Sequence, residues 1–319
     1  MSKRFDLLSV GEMLIDFTPG EGEGVYVRNP GGAPINLAIA FSRLGGSSAF
    51  CGKLGDDDFG RFLLDVQRAH GVEPVCPLLT REAITTLAFV SLNDSGERSF
   101  TFARKPGADM LLTEEDVDKA GLENATIVHA GSLSLSGGPA AAATRHALEK
   151  ARELGKIVSF DVNYRDLIWE GDYGRASEKI RETLRCIDII KISDEEAFLF
   201  GSEDDCVSLF SEHGIRVVVI TRGARGASAF LDGVRADAAK SPPAKVVDTT
   251  GAGDAFFGGF LSSIVSDGIS QINDITIETV EKALLVGSAA GWLTVQKAGA
   301  INALPSMEEV RAAMALFKP

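Results

Sequence analysis

Short runs of β-branched and apolar residues alternate along this chain with segments whose apolar residues recur at helical spacing. Strands are predicted at residues 5–10, 49–52, 127–130, 157–161, 187–192 and 217–221. Helices are predicted at residues 34–44, 59–70, 139–154, 173–185, 255–265, 278–294 and 307–316. A strand, a helix and a second strand in succession form the repeating unit of a largely parallel sheet. We therefore predict an α/β, doubly wound fold, in which helices flank a mostly parallel sheet, as a single domain over residues 1–319.

Two segments, residues 12–29 and 84–104, break this alternation because each carries turn residues between two alternating strands instead of a helix. The turn residues are Pro19 and Gly20 in the first segment and residues 93–96 in the second. We predict two β-hairpins that pair as a small sheet and form a lid over the crevice at the carboxyl ends of the strands. Hairpins without a functional role are the alternative. Because the edges of a lid sheet can also pair with a second chain, we expect a homodimer.

The composition argues against several classes of protein. The formal net charge is −13 and no block of basic residues is present, so nucleic acid is not an expected partner. The most apolar stretches, such as residues 187–192, are far shorter than the ~18 residues of a membrane-spanning helix. Charged residues near the start lead directly into the first strand without a cleavage signal, so we expect a cytoplasmic protein. The four cysteines and four histidines show neither zinc-site spacing nor a disulfide pattern.

The strongest chemical pattern is the sequence DTTGAGDAFF at residues 248–257, which leads into an apolar helix. Its Gly-Ala-Gly turn lies at the helix N-terminus, where free backbone N–H groups and the helix dipole favour a bound anion such as a phosphate. Asp254 lies in the first helical turn beside this anion site. Two interpretations are open: Asp254 caps the helix, or it is a base that takes a proton from a hydroxyl that attacks a phosphoryl group.

A second pattern, GGAPINLAIA at residues 31–40, precedes the first predicted helix. Gly31 and Gly32 allow the backbone to approach a ligand closely. Asn36, in the first helical turn, offers both a donor and an acceptor to neighbouring hydroxyl groups. The alternative for Asn36 is a polar residue at a helix start whose side chain bonds to the local backbone.

These two patterns resemble the signatures of the ribokinase-like (PfkB-type) carbohydrate kinases, and the resemblance extends over residues 11–305. It implies a ribokinase-like fold and the transfer of the γ-phosphoryl group of ATP, with Mg²⁺, to a hydroxyl of a small sugar. By the same resemblance, Asp254 is the base, and Gly251, Ala252 and Gly253 stabilise charge on the transferring group. Asp248 and Thr250 would hold a monovalent cation such as K⁺. A P-loop kinase is excluded because the motif GxxxxGK[ST] is absent from the chain.

The resemblance also assigns further residues to the sugar. Asp16, at the root of the predicted lid, would accept a second sugar hydroxyl, next to Gly31, Gly32 and Asn36. The sequence DVNYR at residues 161–165 resembles the D-x-N-x-R element of fructokinases and 2-keto-3-deoxygluconate kinases. Arg165 would then clamp the transferred phosphate or an acidic substrate group. An ion pair of Arg165 with Asp161 or Asp166 is the alternative.

For the nucleotide, the resemblance implies residues at the ends of several strands and on one helix. Ser193 stands where many family members have asparagine, and Glu196 would organise Mg²⁺ through waters. A capping box formed by Ser193 and Glu196 is an equally good interpretation. The remaining predicted nucleotide-binding residues are Asn163, Lys191, Thr221, Gly223, Gly226, Gly251, Gly253 and Ser288. Helix packing would explain Ser288 just as well.

The sugar is suggested by residues 100–109, FTFARKPGAD, which resemble the fructokinase stretch F-x-F-x-R-x-P-x-A-D. Phe102 would supply an apolar wall, and Arg104 would reach the sugar or its developing phosphate. We therefore expect fructose as the substrate, with phosphorylation of the primary hydroxyl at position 6. A 2-keto-3-deoxygluconate kinase is the alternative enzyme. A catalytically inactive member that acts as a regulatory sugar-binding protein is the alternative from another class.

Overall fold

The computed structural model describes residues 4–76, 78–92, 98–238 and 241–317. The turn predicted at residues 93–96 lies outside the described residues. Among the described residues, no helix is both long and apolar enough to cross a membrane.

Nine strands form the large sheet, which is parallel except at one edge, as predicted. In spatial order they are β15-β14-β13-β12-β11-β10-β1-β4-β6, with the following bounds: β1 Phe5–Val10, β4 Ser48–Cys51, β6 Val72–Pro74, β10 Ala125–Gly131, β11 Ile157–Asp161, β12 Ile189–Ser193, β13 Val217–Thr221, β14 Ala227–Leu231 and β15 Val234–Asp237. Within the described residues, the antiparallel pairs of this sheet are β13 with β14 and β14 with β15. The carboxyl ends of the parallel strands therefore lie along one edge, where α/β proteins bind ligands.

Ten α-helices lie within the described residues, with the following bounds: α1 Ala33–Arg43, α2 Asp58–Ala69, α3 Glu114–Lys119, α4 Pro139–Glu153, α5 Tyr173–Arg181, α6 Glu203–Glu212, α7 Ala252–Ser266, α8 Ile277–Thr294, α9 Ala300–Ala303 and α10 Met307–Met314. The first six lie between strands, and the last four follow β15. Alternate strand residues face opposite sides of the sheet, so Leu7 and Ile189 lie in one apolar cluster while Leu8 and Ile190 lie in the other. Both faces are thus covered, as a parallel sheet requires.

Helix α7 carries the Gly-Ala-Gly turn at its start, and it packs between α1 and α8. A Cβ on Gly258 would lie 2.8 Å from the Ala40 Cβ atom on α1, and one on Gly259 would lie 3.2 Å from the Ala290 Cβ atom on α8. The absence of these side chains lets the three helices approach closely. The starts of α1 and α7 are therefore held side by side.

The two predicted hairpins do form one small sheet, in the order β3-β2-β8-β9, with bounds β2 Leu14–Pro19, β3 Tyr26–Gly31, β8 Leu87–Leu92 and β9 Arg98–Ala103. Strands β2 and β8 pair in parallel and join the hairpins. The Phe17 and Phe89 rings stack across this pair with their centroids 5.1 Å apart. Phe17 also meets the Phe59 ring edge-on at 5.7 Å, which ties the small sheet to α2. A separate pair, β5 Leu54–Gly55 with β7 Leu79–Thr80, lies beside it.

Several elements differ from the sequence-based prediction. The helix predicted at 173–185 ends at Arg181 and is followed by a 3₁₀ turn at Leu184–Cys186, so the next strand begins at Ile189 instead of residue 187. The hairpin of β14 and β15 was not predicted, although Asp232 and Gly233, both with positive φ, are a recognisable hairpin turn. Helices α3 and α6 were also missed, although each begins with a capping box.

Candidate active site

The two signature patterns meet where α1 and α7 begin. Asn36 Nδ2 donates a hydrogen bond of 2.9 Å to Asp254 Oδ2, although the two residues are 218 positions apart in sequence. Helix α7 begins after Gly251, whose φ of 77° is left-handed, and no side chain caps it. Asp254 therefore does not cap its helix, and Asn36 does not merely bond to its own backbone. Both side chains are buried, and among the described residues Asn36 Oδ1 has no hydrogen-bond partner.

The charge state of Asp254 reflects its surroundings. Burial raises the pKa of its carboxyl above the ordinary value, while the Asn36 hydrogen bond and the positive charges of Arg165 and Lys191 lower it. A carboxylate with a raised pKa is a better proton acceptor than a free aspartate. This arrangement suits a general base that takes a proton from a hydroxyl.

Asp16 lies in β2, where the small sheet meets the large one. Burial raises the pKa of its carboxyl to about 6, against the opposing effect of Arg165. A Cβ on Gly31 would lie 2.2 Å from Asp16 Oδ2. Gly32 has a φ of 118°, and a Cβ there would lie 2.5 Å from the Glu12 carbonyl oxygen. The backbone before α1 thus passes directly beside the Asp16 carboxylate. A side chain at Gly31 would displace this carboxylate, and the positive φ and the backbone contact at Gly32 require glycine.

Lys191 and Asp161, on the neighbouring strands β12 and β11, form a buried ion pair. Lys191 Nζ lies 2.9 and 2.8 Å from the two Asp161 carboxylate oxygens. Burial raises the pKa of Asp161 to about 6, Lys191 lowers it, and Glu196 and Asp254 raise it further. A Cβ on Gly253 would lie 3.5 Å from Lys191 Nζ, so the ammonium group lies against the Gly-Ala-Gly turn.

Arg165 is exposed in the loop that follows β11, and its Nη1 donates to the Tyr164 carbonyl oxygen at 3.0 Å. Within the described part of the chain it forms no ion pair with Asp161 or Asp166, so the structural alternative for Arg165 is not observed. Its charge acts on both Asp16 and Asp254. Asn163, with a left-handed φ of 35°, turns the chain just before it.

Glu196 lies in a 3₁₀ helix, Asp194–Leu199, that begins after Ser193. Its Oε2 accepts the Ser193 backbone N–H at 2.8 Å, and its Oε1 accepts the Tyr164 backbone N–H at 2.7 Å. The first bond is half of the predicted capping box. The second joins the loops after β11 and β12. Across the described residues, no three His, Cys, Asp or Glu side chains converge to hold a metal ion, so a metal here would depend on waters and phosphate oxygens.

Asp248 joins the loop before α7 to the loop before α9. Its Oδ1 accepts both the backbone N–H of Thr250 at 3.0 Å and its hydroxyl at 2.6 Å. Its Oδ2 accepts the Gly299 backbone N–H at 3.0 Å. The two residues predicted to bind a cation are therefore in contact with each other.

The remaining nucleotide candidates surround the same edge. Thr221 is in register with Ser193 on the adjacent strand. Gly223 and Gly226, both with positive φ, flank the turn after β13. Ser288 lies buried on α8, and among the described residues its hydroxyl has no hydrogen-bond partner.

Arg104 has internal partners that the sequence did not predict. It is 8% exposed, its Nε donates to Asp109 Oδ2 at 2.9 Å, and its Nη1 donates to Ser136 Oγ at 3.2 Å. Phe102 and Arg104 line a cavity of about 410 Å³ together with Met110. Asp109 compensates the buried positive charge of the guanidinium. A contact between Arg104 and the sugar stays a prediction.

No role was predicted for Glu12, the first residue of the first hairpin segment, or for Asp109, the last residue of the stretch at 100–109. Glu12 is buried, its Oε1 accepts the Ala33 backbone N–H at 3.1 Å, and its pKa is raised by burial to about 7. It thereby holds the start of α1. Asp109 holds Arg104. The sequence showed only that Glu12 begins the segment 12–29 and that Asp109 follows Arg104 by five residues, and neither position identifies a hydrogen-bond partner.

Comparison with known proteins places these features in a family. Residues 4–307 match the model of the pfkB family of carbohydrate kinases. A probable fructokinase-7 of Arabidopsis thaliana is 41% identical over 315 residues, which cover 94% of this chain and 90% of that protein. The fructokinase of Xylella fastidiosa with bound ATP superposes with a TM-score of 0.90 at 31% identity, over 97% of this chain and 98% of that one.

A second solved structure, the fructokinase of Vibrio cholerae O395 in a fructose-, ADP- and calcium-bound form, gives a TM-score of 0.85 at 32% identity. It covers 97% of this chain and 98% of that one. The fold is therefore ribokinase-like, as the resemblance implied. The family model matches residues 4–307 of this chain, and the Asn36–Asp254 hydrogen bond joins the two signature patterns. This chain therefore belongs to the pfkB family of carbohydrate kinases.

Proposed function

We propose that this sugar kinase is an ATP-dependent fructokinase that phosphorylates the primary hydroxyl of fructose at position 6. The observation that carries the proposal is the buried Asn36–Asp254 pair beside the Gly-Ala-Gly turn of α7. Fructokinases are the relatives and structural neighbours at 31–41% identity. One of these neighbours holds fructose and ADP.

In this mechanism Asp254 accepts the proton of the attacking hydroxyl while Asn36 holds the carboxylate in one orientation. The backbone N–H groups of residues 251–253 stabilise the charge that develops on the phosphoryl oxygens. Asp16, Gly31 and Gly32 position the sugar so that the hydroxyl lies in line with the phosphoryl group. Asn163, Arg165, Ser193, Thr221 and the turn at residues 223–226 surround the phosphates and the nucleotide.

The residues present fit Mg²⁺ that is held through water. Glu196 already accepts two backbone N–H groups, but a carboxylate has about four lone-pair sites and can also accept hydrogen bonds from metal-bound waters. Mg²⁺ bound with ATP would neutralise charge on the phosphates. We further propose that Asp248 and Thr250 bind a monovalent cation such as K⁺ at the loop before α7.

The alternatives have less support. An acidic substrate such as 2-keto-3-deoxygluconate would also use Arg104 and Arg165, but the charge of Arg104 is already paired with Asp109. An inactive regulatory protein would not need a base beside an intact anion site, and Asp254 is present there.

We also propose that residues 1–319 act as one cytoplasmic domain whose small sheet closes over the sugar. The edge strand β3 and the residue before it leave three apolar side chains, Val25, Tyr26 and Val27, about half exposed. An apolar strand edge favours pairing with a second strand. A homodimer through this edge is therefore part of the proposal.

A coupled ATP-turnover assay with fructose, 2-keto-3-deoxygluconate, ribose, tagatose and nucleosides tests the function. Fructose should give the highest kcat/KM, and NMR of the product should show phosphate at position 6. The Asp254→Asn protein serves as the control for contaminating kinases. A higher kcat/KM for 2-keto-3-deoxygluconate would reverse the choice of substrate. Tight sugar binding without turnover of any sugar would favour the regulatory protein.

A further inference from the structure

The Lys191–Asp161 ion pair lies deeply buried at the edge where the site is located. The side chain of Lys191 is 6% exposed and that of Asp161 is 3% exposed. A buried ion pair seldom adds stability, because the cost of removing both charges from water offsets their attraction. Two apolar side chains of similar size would join β11 and β12 at least as well. The stability of the sheet therefore does not explain why this ion pair is buried here.

The titratable groups around the ion pair indicate a role in charge balance. Glu196, from the 3₁₀ helix after β12, and Asp254, from α7, both act on Lys191 and on Asp161. His129, from β10, also faces Lys191, but burial lowers its pKa to about 3, so it carries no charge near neutral pH. Three carboxyl groups thus share this space with Lys191. Arg165 also lowers the pKa of Asp254, but it is exposed to solvent, whereas Lys191 is buried among the carboxyl groups.

The position of the ammonium group is specific. Lys191 Nζ lies between the Asp161 carboxylate and the backbone of Gly253, one residue before Asp254. Asp161 fixes it there with hydrogen bonds to both carboxylate oxygens. The positive charge is therefore held at one point relative to the start of α7.

We propose that Lys191 is a positioning residue whose buried charge, fixed by Asp161, keeps Asp254 ionised beside two other carboxyl groups. The role in catalysis rests on the proposed function, but the charge balance itself does not. Removal of Lys191 leaves Asp161 as an uncompensated charge and should raise the pKa of Asp254. Removal of the Asp161 charge leaves Lys191 without its main partner and should lower that pKa. The two substitutions should thus act in opposite directions, which a merely structural pair would not produce.

The primary test uses the ligand-free protein labelled with ¹³C at the aspartate carboxyl carbons. The Asp254 signal is assigned by its absence from the Asp254→Asn protein and is followed through a pH titration. Lys191→Met should raise the midpoint by about one unit or more, and Asp161→Asn should lower it, because a neighbouring charge shifts a carboxyl pKa by about 1 to 3 units. Lys191→Arg, which keeps the charge, should restore the wild-type midpoint. Shifts in the same direction, or no shift, would overturn the proposal.

A kinetic measurement then connects the charge balance to the reaction. The acidic limb of the pH profile of kcat/KM for fructose should move in the same direction as the NMR midpoint in each variant. If fructose is not the substrate, the NMR titration still decides the proposal, so the two failures are distinguishable. If circular dichroism shows that Lys191→Met does not fold, Asp161→Asn decides: a midpoint that is unmoved or raised would refute the role of Lys191.

Discussion

Two pairs of carboxylates lie near the start of α7: Asp16 and Asp254 on the proposed sugar side, and Glu196 and Asp248 on the proposed phosphate side. The two pairs differ in the hydrogen bonds that they accept. On the sugar side, burial raises the pKa values of Asp16 and Asp254, and Asp254 receives its hydrogen bond from the distant Asn36. On the phosphate side, Glu196 and Asp248 accept hydrogen bonds from backbone N–H groups with both of their oxygens. One pair of carboxylates is therefore available to a substrate, whereas the other pair already shapes the loops around it.

This difference carries an energetic consequence. A buried carboxylate with a raised pKa lowers stability near neutral pH, because the folded state favours its neutral form. A carboxylate that accepts backbone N–H groups contributes to stability, because its loss leaves those donors without partners. Substitutions on the two sides should therefore have opposite effects on stability, even where both lower activity.

The largest expected effect is on the sugar side. Asp254→Asn should lower kcat by about 10²- to 10⁴-fold, because asparagine cannot accept the hydroxyl proton. The melting temperature at pH 8 should not fall, since the raised pKa means that the ionised carboxylate does not stabilise the fold. Asp58→Asn, at a side chain that is 97% exposed, is the matched control. A folded Asp254→Asn protein that keeps more than about a tenth of the wild-type kcat would refute the assignment of the base.

Asp16→Asn tests the same side at a position without a proton-transfer role. Loss of a hydrogen bond from a sugar hydroxyl to a charged acceptor should lower kcat/KM for fructose by about 10- to 100-fold. In the wild-type protein the KM for fructose should rise as the pH falls through about 6, where Asp16 becomes protonated. The variant should lack this rise.

The stability of Asp16→Asn gives an independent check. The folded-state pKa of Asp16 lies above its ordinary value of 3.8, so its favourable contribution is full below that value and is lost as the pH rises through about 6. The variant should thus melt at a higher temperature than the wild type at pH 8, measured by differential scanning calorimetry. A lower melting temperature at pH 8 would show that the Asp16 carboxylate is stabilised by partners within the fold.

On the phosphate side, Glu196→Gln should lower kcat about tenfold and weaken the dependence on Mg²⁺, with fructose binding nearly unchanged. Because glutamine retains a single acceptor oxygen, either the Ser193 or the Tyr164 backbone N–H loses its partner, at a cost of about 1–3 kcal/mol. Its melting temperature should fall, opposite to Asp16→Asn. Glu195→Gln, at the exposed neighbouring position, is the control. A normal Mg²⁺ titration would leave Glu196 with its capping role alone.

The smallest effect concerns the small sheet that carries Asp16. Fructose should slow hydrogen exchange several-fold in β2, β3, β8 and β9, because closure over the sugar protects their backbone amides. Exchange in α10, at the far end of the chain, should not change. Equal exchange rates with and without fructose in both hairpins would argue against a closing lid.

Much of the architecture could be predicted from local patterns. The strands at residues 5–10, 157–161 and 217–221 have the predicted bounds. The second hairpin lies within its predicted segment, and the first extends two residues beyond its segment, to Gly31. The prediction was wrong at the end of α5 and omitted β14 and β15. It assigned Arg104 to the sugar, which stays a prediction, and it did not identify Asp109 as the partner of Arg104. Sequence patterns report the periodicity of one segment, but the partner of a buried charge depends on segments that approach only in the folded chain.

The sequence alone determined the order of strands and helices, the Gly-Ala-Gly turn and the presence of Asp254 in the first turn of α7, because backbone propensity and hydrophobic periodicity act over a few residues. Only the tertiary structure shows that Asp254 does not cap α7 and that it accepts a hydrogen bond from Asn36, 218 positions away, whereas its role as the base stays a prediction. It likewise decided that Lys191 pairs with Asp161 and that Glu196 holds two loops. Burial and charge pairing arise from packing between distant segments, and no local pattern encodes them.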